Sequence, residues 1–175
     1  MQQTSGPTAE PAPASNQTCP TGPVALTRCS GKSVTTADEL QRAAKNEGTI
    51  KLETNILLDK SIIVEEDLKI CGAGWSITAH VPQTETPSFS LFQVEEGVTL
   101  DLVSLTVGRT NGAVPFEDGS QWPGCINTTK DSTLLTTDTH FINCTAASKD
   151  GGAILAEQAK RVEIVGMVLL LLQEG

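Results

Sequence analysis

Four segments of the chain repeat one pattern: "IIVEEDLKI" from Ile62, "FQVEEGVTLDL" from Phe92, "INTTKDSTLLT" from Ile126 and "ILAEQAKRVEI" from Ile154. Each has two alternating inward candidates, a polar turn, then two more. The first two align without a gap, Ile62, Val64, Leu68 and Ile70 against Phe92, Val94, Val98 and Leu100. The last two carry two extra turn residues and match each other, Ile126, Thr128, Leu134 and Thr136 against Ile154, Ala156, Val162 and Ile164. Period-two alternation is the mark of a strand with one buried face. Starts 30, 34 and 28 residues apart lie in the range where recurrence signals a stacked repeat architecture. One such unit cannot bury its apolar face alone, so copies must stack; extended backbone with an irregular period points to an all-β parallel β-helix. Ile62, Phe92, Ile126 and Ile154 are then expected to form one inward column.

The flanks fit that frame. Residues 1 to 31 are rich in Pro, Ser, Thr, Gly and Ala, with almost no large apolar side chain before Val24, and are expected to be a disordered leader. The folded domain is placed at residues 32 to 175. A helix is predicted over about 36 to 47: Thr36 caps it, Glu39 reaches back as the capping-box partner, Leu40, Ala43 and Ala44 form an apolar stripe, and Gly48 ends it. Placed before the first strand, it suits a cap over the open end of the stack. Gly72 and Gly74 in "ICGAGW", and Gly151 and Gly152 in "KDGGAI", fall where the chain must turn sharply. The run "VGMVLLLLQEG" is too short to span a bilayer and is expected to pack as a strand.

Charge and composition exclude several functions. The net charge of −9, from 21 acidic against 12 basic side chains, repels polyanions and argues against nucleic acid as a partner. There is no Tyr, and six Phe and Trp leave few stacking platforms, so the core must rest on Ile, Leu and Val. The five cysteines contain no CxxC pair and no His at ligand spacing, so no metal site is expected. Cys19 and Cys29 could close a small disulfide loop, and Asn16, Asn127 and Asn143 stand in N-x-Ser/Thr sequons. Together these point to an oxidising exterior compartment, although the leader lacks the basic and apolar regions of a signal peptide. Asn143 is expected to be a corner bonded to the neighbouring repeat, which would exclude a glycan there, while Asn127, at a strand-to-turn position, is the sequon open to exposure.

The run from "TADELQRAAKNEGTIKLETNILL" through "LKICGAGWSI" resembles the entry of right-handed parallel β-helix proteins of the pectin-lyase-like fold, with a capping helix, a "G-T-I-x-L" strand and an "I-x-G-x-G" corner. "FINCTAASKDGGAI" resembles the repeat signature of polymorphic outer-membrane proteins, whose surface-exposed passenger carries GGAI and FxxN tetrapeptides. Gly151, Gly152, Ala153 and Ile154 match GGAI literally. After Phe141 the Asn comes one position early, at Asn143, with Cys144 where that family has Asn. "PGCI" before Asn127 is a degenerate earlier copy. The resemblance implies a right-handed β-helix passenger; after "VGMVLLLLQEG" a further turn bearing Phe and Asn would be expected, so the stack reads as an incomplete one.

Catalytic readings find little support in the residues. Lyases of this fold use converging acids for calcium and an Arg or Lys base; Glu65, Glu66 and Asp67 align instead with Glu95, Glu96 and Gly97 in turns, as a cation-binding ridge or as solvated charge. Glycosidases need paired acids, and "TTDTHFIN" offers only Asp138 with His140. Neither a "GxSxG" nor a phosphate-cradling glycine motif occurs, and no cofactor is implied. Cys144 is expected to face the core. The long segment "GRTNGAVPFEDGSQWPG" brings Arg109, Phe116, Glu117, Asp118 and Trp122 into one loop, either a ligand site for a carbohydrate or protein surface or a flap over the flank. The expectation is a non-catalytic, secreted or surface-displayed segment serving adhesion, interaction or as a stalk. The competing reading is a degenerate or truncated carbohydrate-active enzyme of the pectin-lyase-like fold.

Overall fold

The computed structural model describes residues 30–46, 48–80, 89–110, 124–144, 153–156, 158–166 and 168–170. The leader up to residue 29, the Cys19 to Cys29 loop, Asn16, Phe116, Glu117, Asp118, Trp122, Gly151 and Gly152 lie outside them. In chain order the elements are β1 (Lys32–Val34), α1 (Ala37–Asn46), β2 (Thr49–Leu52), β3 (Ile56–Leu58), β4 (Ile62–Val64) and β5 (Leu68–Cys71). Then follow β6 (Ser76–Ala79), β7 (Phe92–Val94), β8 (Thr99–Val103), β9 (Thr106–Arg109) and β10 (Ile126–Thr128). The last are β11 (Thr133–Thr137), β12 (His140–Ile142), β13 (Ile154–Ala156), β14 (Arg161–Val165) and β15 (Val168–Leu170).

These strands form three parallel sheets: six strands in the order β1-β2-β5-β8-β11-β14, five in the order β3-β6-β9-β12-β15, and four in the order β4-β7-β10-β13. From β2 onward the chain visits the sheets in fixed rotation, and every circuit adds one strand to each. Among the described residues the protein is thus predominantly β, in stacked parallel sheets with one short helix, an arrangement compatible with a β-helix.

Register carries the core. Ile62 pairs with Phe92, Phe92 with Ile126 and Ile126 with Ile154, so the expected column exists residue for residue. Its first three members are fully buried and Ile154 partly so. A second inward row in that sheet runs Val64, Val94, Thr128, Ala156. The five-stranded sheet supplies Ile56, Ile77, Val107 and Phe141. Each buried aliphatic or Phe side chain in these rows contributes about 1.5–3 kcal/mol by leaving water.

The gapless match of the first two repeats is corrected by the structure. Leu68 pairs with Leu100, not Val98, and Ile70 pairs with Leu102. The turn from β4 to β5 is therefore the short one, and the second, third and fourth repeats share the longer spacing, since Leu134 sits between Leu100 and Val162. The longer turns recur with one residue at positive φ: Gly97 at 77°, Asp131 at 57° and Gln158 at 60°. They bond in sequence, Gly97 N–H to the Lys130 carbonyl at 3.2 Å and Asp131 N–H to the Gln158 carbonyl at 3.0 Å. The short turn lacks two residues of main chain, and Asp67 compensates: its Oδ1 accepts the Thr99 N–H at 2.7 Å. In the next circuit the equivalent Thr133 N–H goes to a turn carbonyl, that of Val98, at 2.9 Å.

A second column of left-handed corners joins the six- and five-stranded sheets, with Ala73, Gly74, Ser104, Asp138 and Gly166 all at positive φ. Gly74 is the flexible corner expected there, whereas Gly72 serves close approach: a Cβ on it would lie 2.1 Å from the Leu105 Cβ. Gly108 is tighter, since a Cβ there would lie 2.0 Å from the Ile142 carbonyl oxygen.

Helix α1 is one residue shorter at each end than the predicted span. Leu40, Ala43 and Ala44 are buried as the stripe requires, and the helix packs on β4 and β3. It thereby covers the free edge of the four-stranded sheet, with the Glu65 N–H donating to the Ala44 carbonyl at 3.4 Å. Thr36 Oγ1 accepts the Glu39 N–H at 3.2 Å as expected, but the Glu39 carboxylate reaches back to Thr35, accepting its N–H at 2.8 Å and its hydroxyl at 2.9 Å.

Those bonds from Thr35 hold the Glu39 carboxyl below its ordinary value of 4.5. Since the folded value is the depressed one, the stabilisation is complete above about 4.5 and is lost as pH falls through the lower folded value. Glu39→Gln is expected to flatten the acid limb of the stability–pH curve relative to the parent, read from thermal melts in steps below pH 5. Gly108→Ala should lower stability by about 1–3 kcal/mol in urea titrations through overpacking. Gly48→Ala, where an added Cβ meets no heavy atom within 4 Å, should stay within about 0.5 kcal/mol of the parent.

Candidate functional site

Outward positions alternate with the ladders, so each sheet face carries straight rows of side chains, one per circuit. On the six-stranded sheet one row reads Lys69, Asp101, Leu135, Glu163. Lys69 Nζ meets Asp101 Oδ2 at 2.5 Å, and a shallow depression of about 160 Å³ opens beside the pair, lined also by Leu135, Thr137, Glu163 and Val165. Sequence reading missed this row because the gapless alignment set Lys69 opposite Thr99. The two-residue shift brings Lys69 opposite Asp101, and the signal was the turn length shared by the last three repeats.

A second groove, about 280 Å³, follows the column of left-handed corners. Ala73, Gly74, Ser104, Leu105, Thr106, Asp138 and His140 line it. The corners put it there: Gly74, Ser104 and Asp138, left-handed residues of successive circuits, line one trough. Asp138 and His140, paired by sequence, do share this surface, with hydroxyls from Ser104 and Thr106 beside them. His80 lies elsewhere, after β6, with Nδ1 at 3.3 Å from Thr110 Oγ1.

The turn acids are engaged locally. Lys45 Nζ meets Glu65 at 2.6 Å and Lys130 Nζ meets Glu96 at 3.7 Å, Glu95 accepts from Gln93 at 3.1 Å, and Asp67 caps Thr99. Among the described residues no group of three or more His, Cys, Asp or Glu is placed to hold a metal ion.

Arg109 ends β9 in an inward row, beneath Leu58 and Ala79, and is only 1 % exposed. Its Nη2 donates to the Phe89 carbonyl at 3.1 Å, and Nη1 lies 3.8 Å from Cys125 Sγ. Burial pushes its pKa down to about 10, which still leaves it cationic at neutral pH. Arg109 therefore points into the body of the protein at the foot of the segment that sequence reading treated as a ligand loop.

Beside it Cys125 and Cys144 form a disulfide, with Cα atoms 5.2 Å apart. Cys144 is buried as expected, but its pairing was not foreseen; both cysteines flank strands of one circuit, Cys125 before β10 and Cys144 after β12. Asn143, at φ 51°, donates from Nδ2 to the Arg109 carbonyl at 3.1 Å. The nitrogen that would carry a glycan there makes the corner bond to the preceding circuit. Asn127 sits at the middle of β10, partly exposed between Gln93 and Leu155. Of the GGAI tetrapeptide, Ala153 packs partly buried against the core and Ile154 takes the ladder position, while Phe141 is fully buried.

No protein-family model matches the chain, and neither the curated proteins nor the solved structures contain a significant match. Among the described residues no helix is long and apolar enough to cross a membrane.

The disulfide joins cysteines 19 positions apart in sequence and so encloses β10, β11 and β12 in one loop. Replacing both cysteines by Ala is expected to cost about 2–4 kcal/mol, read from urea midpoints against the oxidised parent. Non-reducing proteolytic mapping should recover the Cys125 and Cys144 peptides linked.

Proposed function

We propose that this chain is a segment of a right-handed parallel β-helix, secreted or displayed at a cell surface, that acts as a non-catalytic stalk or as an adhesion and interaction module. The observation that carries this reading is the fixed rotation through three sheets in register. It turns outward side chains into straight rows about 4.8 Å apart, suited to contact along an extended carbohydrate or protein surface. The handedness follows from the strong preference of parallel strand crossovers for the right-handed sense. The disulfide Cys125–Cys144 supports an oxidising exterior compartment. Membership of the polymorphic outer-membrane protein passengers is part of this proposal, supported by GGAI with Ile154 on an inward ladder and by Asn143 at a corner.

A carbohydrate-active enzyme is the second reading, favoured by the shared trough of Ser104, Asp138 and His140. The two separate in one assay. Incubated with polygalacturonate, with and without calcium, the purified chain is expected to release no unsaturated or reducing ends while still sedimenting with polysaccharide or cell-surface preparations. Turnover that disappears in Asp138→Asn would replace the stalk reading with the enzymatic one.

A further inference from the structure

The two sulfurs of the Cys125–Cys144 bond lie in opposite electrostatic surroundings. Cys125 Sγ has the Arg109 guanidinium beside it, with Nη1 at 3.8 Å. Cys144 Sγ instead faces two main-chain oxygens, the Val107 carbonyl at 3.5 Å and the Ile142 carbonyl at 3.4 Å. A cation favours a thiolate next to it, whereas carbonyl oxygens repel a thiolate and accept a hydrogen bond from a thiol. Burial disfavours the charged form of either sulfur, since Cys125 is 0 % and Cys144 4 % exposed, so the difference between them rests on these neighbours. The guanidinium is also held in place. Its Nη2 donates to the Phe89 carbonyl at 3.1 Å, and Asn143, next in sequence to Cys144, donates from Nδ2 to the Arg109 carbonyl at 3.1 Å. In the closed bond neither sulfur carries charge, so Cys125 offers the buried cation an anion only when the bond opens.

We propose that Cys125–Cys144 is a redox-active bond, opened by a dithiol that attacks Cys144 and releases Cys125 as a thiolate paired with Arg109. The inference rests on the geometry around the two sulfurs and is independent of the adhesion reading. In the first step one thiolate of the dithiol forms a bond to Cys144 Sγ, the Cys125–Cys144 bond breaks, and its electron pair leaves on Cys125. In the second, the other sulfur of the dithiol closes on the first, its proton passes to the departing Cys144 sulfur, and the reductant leaves as a disulfide. The protein gains two electrons and one proton, ending as a Cys125 thiolate and a Cys144 thiol. Attack falls on Cys144 because the sulfur that leaves faster is the one whose thiolate is better stabilised. The state so formed matches both neighbourhoods, the thiolate on the guanidinium and the thiol on its carbonyls. Opening removes the covalent tie around β10, β11 and β12, and reoxidation restores it.

The test places the full chain in dithiothreitol redox buffers at pH 7 and counts the open bond by alkylation and peptide mass. Arg109→Gln is expected to shift the equilibrium toward the closed bond at least about tenfold, equivalent to about 30 mV. A second measurement leaves Arg109 in place. Thiolate absorbance at about 240 nm is followed against pH in reduced Cys144→Ala and Cys125→Ala chains, each corrected by the variant lacking both cysteines. Cys125 should form its thiolate at least about one pH unit below Cys144, a gap that a merely structural Arg109 would not create. Coincident titrations, a lower one for Cys144, or an equilibrium unmoved by Arg109→Gln in a chain that still melts cooperatively would each overturn the proposal.

Discussion

Main-chain hydrogen bonding between equivalent residues of successive circuits is the constraint on which the rest of this structure depends. Because parallel pairing holds Ile62, Phe92, Ile126 and Ile154 at one height in their strands, their side chains have a single choice of face. A slip of one residue would send every ladder to solvent, so burial and register enforce each other. The same pairing fixes the outward rows. Lys69 finds Asp101 for the reason that Ile70 finds Leu102: both pairs are set by the β5 to β8 register, not by the affinity of the side chains.

The corners obey a different logic. Short strands of three to five residues cannot bend, so direction changes are concentrated in single residues with left-handed backbone, where a non-glycine residue is uncommon. Ser104, Asp138 and Asn143 accept that conformation, two of them as the acid and amide types most tolerant of it. Neighbouring corners repay the strain through bonds such as Ser104 N–H to the Thr137 carbonyl at 2.9 Å and Asp138 N–H to the Val165 carbonyl at 2.9 Å. Polar side chains thus gather along the corner trough because of backbone geometry, and any chemistry there is built on that placement.

The ladders were legible in the sequence because period two and a recurrent start survive substitution of one apolar residue for another. The helix was legible because Thr36, Glu39, Leu40 and Ala43 each do a local job. Turn length was harder. "EEDLKI" and "EEGVTL" look alike, and the apolar Val98 invited a match to Leu68, yet Val98 lies in the turn, donating to the Glu95 carbonyl at 3.2 Å. From that error followed the missed Lys69–Asp101 row. Arg109 and the Cys125–Cys144 bridge were obscured for another reason: both depend on what meets across the interior. A charged side chain in a ladder position reads, by sequence alone, as the start of a loop.

Asp67 shows what such an architecture asks of its connections. One carboxylate oxygen takes over the hydrogen bond that a turn carbonyl supplies in the following circuit, and the circuit closes two residues sooner. Main chain and side chain are interchangeable at that point. Connections can accordingly lengthen or contract by a pair of residues while the interior keeps step, which leaves the periphery of the stack open to rewriting without renegotiating its centre.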